Sequence, residues 1–104
     1  MKKIVSLLKA LSDNTRYKII SMLLYKNYCV RSLSKKLNIS ESAVSQQLKI
    51  LKRVNLVECE KRGYFTHYRV NRHILVELSN ELINLSEKKF NSEEDNECCV
   101  KEGK

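Results

Sequence analysis

The chain contains no proline and only two glycines, Gly63 and Gly103, so very little in it interrupts a helix. Before residue 56, apolar residues recur at the spacing of one helix face in four successive segments. We therefore predict four helices in this part of the chain. Their apolar positions are Ile4, Leu7, Leu8 and Leu11 in the first, Ile19, Ile20, Leu23 and Leu24 in the second, Val30, Leu33 and Leu37 in the third, and Val44, Leu48 and Leu51 in the fourth.

The third and fourth predicted helices are joined only by Asn38-Ile39-Ser40. The hydroxyl of Ser40 is a good N-cap, because it can accept a hydrogen bond from an unpaired backbone N–H in the first turn of the next helix. Two short helices joined in this way are typical of a helix-turn-helix.

After residue 56 the apolar spacing changes to two, with Val57 and Cys59 on one side of a predicted strand. A second alternating segment follows over residues 65–70, and Lys61-Arg62-Gly63 supplies the turn of a β-hairpin with a basic tip. A long last helix begins near Asn71. The predicted order, α-α-α-α-β-β-α, is a mainly α winged helix-turn-helix with one small β-hairpin. A leucine seam on the last helix predicts a homodimer, and it consists of Leu75, Leu78, Leu82 and Leu85.

Charge is unevenly distributed along the chain. Residues 90–104 hold 2 of the 20 basic and 5 of the 12 acidic side chains, which leaves 18 basic and 7 acidic ones, a net +11, on residues 1–89. Such a charge favours nucleic acid over a membrane surface as the partner. No apolar run approaches the roughly 18 residues that span a bilayer, so we expect a cytoplasmic protein. We expect one folded domain over residues 1–90 and an acidic mobile tail over residues 91–104.

The outward face of the fourth helix fits double-stranded DNA. At 100° per residue, the side opposite Val44 is polar and basic and carries no carboxylate. The second helix of a helix-turn-helix lies in the major groove, where glutamine can pair with adenine. Lys61 and Arg62 at the hairpin tip suit phosphates or the minor groove. An ordinary solvated helix face is the alternative interpretation. The DNA contacts we predict on the fourth helix are Ser42, Ser45, Gln46, Lys49 and Arg53.

Two stretches of the chain resemble the ArsR/SmtB family of metal-responsive repressors, and the resemblance covers about residues 2–90. It implies a homodimeric winged-helix repressor that needs no cofactor to bind operator DNA and is not an enzyme. The stretches are Leu11-Ser12-Asp13-Asn14-Thr15-Arg16-Tyr17-Lys18-Ile19-Ile20 and Leu37-Asn38-Ile39-Ser40-Glu41-Ser42-Ala43-Val44-Ser45-Gln46-Gln47-Leu48, followed by a hairpin from Leu56-Val57-Glu58 to Tyr68-Arg69-Val70.

The resemblance also implies two places for metal ligands. Arsenic, cadmium and lead sensors of the family carry Cys-x-Cys at the third helix, where this chain has Cys29 but Arg31 as the second residue. The family's other site, on the last helix, has lost two of its four ligands here to asparagine. Because amides bind zinc poorly, we interpret that site as lost. Its positions are Asn71, His73, Asn84 and Glu87.

Three cysteines remain as candidate ligands for a soft metal or metalloid. Cys29 lies at the start of the third helix, where the helix dipole favours the thiolate. Cys98 and Cys99 lie in the tail, where no core can bury them. Together the three could bind As(III) or Sb(III), or else Cd(II) or Pb(II). The alternatives are a half-buried structural Cys29 and accidental surface thiols at Cys98 and Cys99.

The fourth cysteine, Cys59, shares a strand face with Val57, and we expect it to pack in the core. We expect His67 and His73 to be ordinary surface or capping residues.

These features predict a repressor that leaves its operator when a soft metal or metalloid binds its thiolates. A redox or reactive-sulfur sensor that oxidises the same thiols is the main alternative. A small thiol oxidoreductase is a third, but the chain has neither a Cys-x-x-Cys motif nor a glycine-rich phosphate loop.

Overall fold

The computed structural model describes residues 2–90. The predicted order of elements is confirmed: these residues form five helices and one antiparallel hairpin, which comes between the fourth and fifth helices along the chain. The tail predicted over residues 91–104 lies outside the described residues. The elements are α1 (Lys2–Leu11), α2 (Asn14–Tyr25), α3 (Val30–Leu37), α4 (Glu41–Arg53), β1 (Val57–Arg62), β2 (Phe65–Val70) and α5 (Arg72–Ser86).

Side-chain caps fix where the central helices begin. The carboxylate of Asp13 accepts a hydrogen bond from the backbone N–H of Arg16 at 3.1 Å and caps α2. The hydroxyl of Ser40 accepts from the backbone N–H of Ala43 at 3.0 Å and caps α4, as predicted. Asn38 ends α3 in the left-handed conformation, with φ of 58°, which asparagine tolerates better than most residues.

One core joins all five helices to the base of the hairpin. The predicted inner face of α4 is confirmed, since Val44, Leu48 and Leu51 are at most 1% exposed. Leu8 of α1 lies at the surface and is 40% exposed. The buried hydrophobic residues are Leu7, Ala10, Ile19, Ile20, Leu23, Leu33, Val44, Leu48, Leu51, Leu56, Val57, Val70, Ile74 and Leu78.

The hairpin protrudes from this core, and two predictions about it are wrong. Its turn is Gly63-Tyr64, with Gly63 at φ of 63°, so Lys61 and Arg62 end β1 instead of forming the turn. Cys59 is exposed and not part of the core. Only the first pair of the ladder, Val57 with Val70, is buried. In the pair Cys59 with Tyr68, Tyr68 still packs partly against the core, whereas Cys59 is exposed.

Asn71 ties the start of α5 to the loop after α4. Its side-chain amide donates to the carbonyl oxygen of Asn55 at 2.7 Å, and its backbone N–H donates to the carbonyl oxygen of Leu56 at 2.9 Å. Asn71 is only 8% exposed, so these bonds satisfy a buried polar group. The ends of α4, the hairpin and α5 are thus held together at one point.

None of the helices within residues 2–90 is both long enough and apolar enough to span a membrane.

Candidate nucleic-acid interface

The polar face of α4 is open to solvent. Val44, Leu48 and Leu51 seat the opposite face in the core, which fixes the rotation of the helix about its own axis. All the DNA contacts predicted on α4 are exposed: Ser42, Ser45, Gln46, Lys49 and Arg53. The one acidic residue of α4 is Glu41, in its first turn.

The turn between α3 and α4 holds the two helices in a fixed relation. The hydroxyl of Ser34 donates to the carbonyl oxygen of Ile39 at 2.6 Å, and the backbone N–H of Ile39 donates to the carbonyl oxygen of Ser34 at 3.1 Å. Leu33 is fully buried between the helices and the core. This geometry is that of a helix-turn-helix in which α4 is the second helix.

Basic side chains also lie on the first helix of this motif. Arg31, Lys35 and Lys36 of α3 are exposed, and α3 carries no acidic residue. In helix-turn-helix proteins the first helix crosses the DNA backbone, so cations there add affinity through phosphates. The two helices together present a basic surface.

Arg16 joins three helices at the edge of this surface. Its guanidinium donates to the carbonyl oxygen of Ala10 at 2.7 Å and, at 3.4 Å, to that of Lys9, both in α1. It also donates to the side-chain oxygen of Gln47 in α4 at 2.8 Å. The sequence pattern identifies neither Arg16 nor Gln47 as a functional residue, because a contact between residues 31 positions apart follows from tertiary packing and leaves no local signal.

The hairpin presents a basic and aromatic tip beside α4. Lys61 and Arg62 are exposed, as predicted, and Tyr64 in the turn is fully exposed. Arg62 forms an ion pair with Glu60 at 3.5 Å, and both side chains are mostly exposed, so this pair contributes little stability and leaves Arg62 available. The sequence interpretation does not include Tyr64, because it places the turn before that residue.

Cys29 is the N-cap residue of α3, as its predicted position requires. It is half-buried, and its sulfur lies 3.4 Å from the hydroxyl oxygen of Ser32. The hydrogen bond from that hydroxyl lowers the pKa of the Cys29 thiol, backbone N–H groups of α3 lower it further, and partial burial opposes them. The lower pKa increases the fraction of Cys29 present as the thiolate, which is the form that binds metals and reacts with oxidants.

Among residues 2–90, Cys29 belongs to no group of three or more candidate ligands. Within residues 2–90, no three His, Cys, Asp or Glu side chains are grouped closely enough to hold a metal ion. Cys98 and Cys99 lie outside the described residues. Asn71, in the first position of the family's other metal site, donates its side-chain amide N–H to the carbonyl oxygen of Asn55. His67 is half-buried on the hairpin and His73 is exposed on α5.

The predicted leucine seam of α5 divides into two parts. Leu78 is 7% exposed and belongs to the core with Leu7 of α1, and Leu75 is half-buried against it. Leu82 and Leu85, one and two turns further along, are 40% and 59% exposed. Only the second part of the seam is therefore available to another molecule.

An exposed polar and basic helix seated in a helix-turn-helix, with a basic hairpin beside it, defines the class of winged-helix DNA-binding proteins. The sequence profile of the family described as bacterial regulatory protein, arsR family, matches residues 13–58. This range spans α2, the helix-turn-helix and the first residues of β1.

Known proteins with similar sequences and structures lead to the same family. The transcriptional repressor SdpR of Bacillus subtilis is 31% identical over 80 residues, which cover 77% of this chain and 89% of SdpR. The transcriptional activator HlyU of Vibrio cholerae is 39% identical over 69 residues, 66% of this chain and 64% of HlyU. An ArsR-like transcriptional regulator from Rhodococcus sp. RHA1 superimposes with a TM-score of 0.76 at 29% identity, covering 82% of this chain and 80% of that one.

The chain belongs to the ArsR family of transcriptional regulators, whose members are winged-helix DNA-binding proteins and not enzymes. The thiol oxidoreductase hypothesis is thereby excluded. One similar protein is named a repressor and another an activator, so similarity alone does not assign the direction of regulation.

Proposed function

We propose that this protein is a homodimeric repressor that binds a roughly palindromic DNA operator and leaves it when a soft metal or metalloid binds its thiolates. The exposed polar and basic face of α4, held in place by three buried residues on the opposite face, carries the proposal. The proposed contacts are Ser42, Ser45, Gln46, Lys49 and Arg53 on α4, with Lys61 and Arg62 on the hairpin.

Base and phosphate contacts are divided between the two elements. Gln46 lies on the outward side of α4, where its amide can pair with an adenine edge in the major groove. Lys61 and Arg62 are flexible cations on a protruding hairpin and suit phosphates or the minor groove. The first kind of contact contributes sequence preference, whereas the second contributes affinity that depends on salt.

Two-fold symmetry would come from α1 and α5. Leu82 and Leu85 of α5 expose large apolar side chains, and α1 exposes Val5 and Leu8. Ile4 and Leu85 line the same groove between the two helices. Covering these side chains with the same surface of a second copy would remove apolar area from water, the main favourable term in association.

The proposed sensor combines Cys29 with Cys98 and Cys99. The lowered pKa of Cys29 supports it as one thiolate ligand, and As(III), Sb(III), Cd(II) and Pb(II) are the candidate inducers. Because Cys29 caps α3 and three residues join α3 to α4, a ligand that pulls on Cys29 acts close to the proposed DNA-binding helix.

A thiol-based redox or reactive-sulfur sensor is the second candidate. The same lowered pKa of Cys29 favours it, since the thiolate is the form that oxidants attack. The two candidates differ in the reagent that reverses release from DNA. A thiol reductant restores DNA binding to an oxidised repressor, whereas a chelator restores it to a metal-bound one.

A selection experiment tests the proposal. Reduced protein is used to enrich duplexes from a randomised pool, and the affinity for the enriched duplex is measured by fluorescence anisotropy before and after arsenite, antimonite, cadmium or lead is added. We expect one enriched, roughly palindromic sequence that the Gln46→Ala/Lys49→Ala variant binds weakly. Enrichment of no sequence, or equal binding by that variant, would contradict the proposal.

A further inference from the structure

Gln46 and Gln47 are neighbours on α4, and within residues 2–90 only Gln47 forms a hydrogen bond with another side chain. The guanidinium of Arg16 donates to Oε1 of Gln47 at 2.8 Å. Arginine has five donors and no acceptor, so the atom of Gln47 that faces it must be the amide oxygen. This chemistry fixes which end of the amide is oxygen and which is nitrogen, a distinction that otherwise has to be inferred from the wider hydrogen-bond network.

The other end of the same amide is not fully buried. Within residues 2–90, Nε2 of Gln47 has no hydrogen-bond partner, and no side-chain nitrogen or oxygen that lacks a partner is buried there. Gln47 itself is half-buried. Its Nε2 is therefore a donor that is at least partly accessible, on an amide whose orientation is held by Arg16.

The position of Gln47 on α4 separates its role from that of Gln46. At 100° per residue from Val44, Gln46 lies 200° away, on the outward side, whereas Gln47 lies 300° away, which is only 60° from Val44 and places it at the edge of the buried face. When a helix lies in a major groove about 12 Å wide, its outward side faces base edges and its flanks face the phosphate strands that form the walls. Because Gln47 is turned away from the outward side of α4, its position favours a phosphate over a base.

The hydrogen-bonding capacity of Gln47 also favours a phosphate over a base as its partner. Pairing with an adenine edge needs both the oxygen and the nitrogen of the amide, but the oxygen of Gln47 is bound to Arg16. A free N–H donor beside a guanidinium suits an anionic acceptor. We propose that Gln47 is a phosphate-positioning residue, that Arg16 directs its amide N–H toward the DNA backbone, and that of the two glutamines only Gln46 contacts bases. This inference rests on the proposed function.

The test must separate a phosphate contact from a purely structural role in holding α4 against α1. The probe is the duplex enriched by the wild-type protein, prepared with a single neutral methylphosphonate at each position in turn. The variants are Gln47→Ala and Gln47→Glu, with Gln46→Ala as the matched control. Glutamate keeps an acceptor for Arg16 but has no N–H to donate, so it retains the structural contact.

We expect wild type to lose about tenfold in affinity at one methylphosphonate per half-site, the loss typical of a hydrogen bond to a charged group. For Gln47→Ala and Gln47→Glu, the methylphosphonate at that position should cause no loss of affinity beyond that of the substitution itself. Both variants should retain the base preference of wild type. Because the amide is neutral, Gln47→Ala should also leave the salt dependence of binding unchanged. Gln46→Ala should keep the methylphosphonate effect and lose base preference.

The role of Arg16 is tested with Arg16→Met, after thermal denaturation confirms that it folds. This variant should lose the same methylphosphonate effect, and combining it with Gln47→Ala should add no further loss at that position. If Gln47→Ala does not fold, Gln47→Glu alone answers the question, since its contact with Arg16 is preserved.

Three outcomes would overturn the inference. If wild type binds no duplex, the proposed function fails and the inference fails with it. If wild type and Gln47→Glu respond identically to every methylphosphonate, the contact with Arg16 is only structural. If either Gln47 variant changes the base preference, Gln47 contacts bases instead of a phosphate.

Discussion

Substituting the exposed end of the α5 leucine seam should separate dimerisation from folding. Leu82 and Leu85 are 40% and 59% exposed, whereas Leu78 is 7% exposed within one protomer. Fully burying a leucine contributes about 1.5 to 3 kcal/mol, so with roughly half of each side chain still exposed, about 1 kcal/mol per side chain remains for a partner. Leu82→Asp/Leu85→Asp changes four side chains in a symmetric dimer. The loss of about 4 kcal/mol weakens the dimer roughly 1000-fold, at 1.4 kcal/mol per factor of ten.

Sedimentation velocity over a range of protein concentrations measures this effect. We expect Leu82→Asp/Leu85→Asp to sediment as a folded monomer at concentrations where wild type is a dimer, and to bind the enriched duplex weakly because it contacts only one half-site at a time. Circular dichroism should show unchanged helix content. Leu78→Asp should instead unfold the protein, since it places a charge in the core.

The matched control is Val76→Asp/Ile83→Asp. Val76 and Ile83 are 56% and 51% exposed on the same helix, and at 100° per residue they lie on the side opposite Leu78. If this control dissociates the dimer while the Leu82/Leu85 variant remains dimeric, the interface is on the other face of α5 and the argument from the seam is wrong.

Three further predictions concern DNA and the sensor. Gln46→Ala should weaken binding to the enriched duplex by about 1 to 3 kcal/mol, whereas Lys61→Ala should weaken all sequences alike and lower the slope of log K against log salt by about 1; equal effects on both kinds of duplex would contradict this division. Cys29→Ser, like removal of residues 97–104, should leave DNA binding intact and abolish release by arsenite or cadmium; normal release in either variant would remove that group from the sensor. Ser32→Ala should raise the pKa of the Cys29 thiol toward its ordinary value, seen as a shift to higher pH in the rate of alkylation by iodoacetamide, because the hydroxyl that stabilises the thiolate is gone.

Helical periodicity was enough to predict the frame of the site. Val44 and Leu48 recur at the spacing of one helix face, and Ser40 is a strong N-cap, so both the start of α4 and its outward side follow from local sequence. Alternation in a strand carries less information. It shows which side chains share a face but not where the core beneath that face ends, and so Cys59 was wrongly predicted to be buried while Val57 was predicted correctly.

The parts of the site that the sequence did not predict depend on contacts between distant segments. The bond from Arg16 to Gln47 links α2 to α4, and the bond from Asn71 to Asn55 links α5 to the end of α4. Each contact is fixed only after the core has set how the helices pack. The leucine seam shows the same limit: Leu78 and Leu82 are equivalent in the sequence pattern, yet Leu78 is buried in the core whereas Leu82 is 40% exposed.

The position of Cys29 limits how a sensor at this site can act on DNA binding. A ligand shifts the equilibrium between conformations only by the difference in its affinity for them, and a coupling of about 1 to 3 kcal/mol corresponds to a 5- to 150-fold change in DNA affinity. The α3–α4 turn is held by two hydrogen bonds between Ser34 and Ile39 and by the buried Leu33, so displacement of α3 must either carry α4 with it or break these bonds. Breaking the bonds between Ser34 and Ile39 costs free energy that binding of the ligand would have to supply. Movement of α3 and α4 together preserves these bonds, and it changes how Arg16 contacts Gln47, because Arg16 is anchored to α1 outside the moving pair.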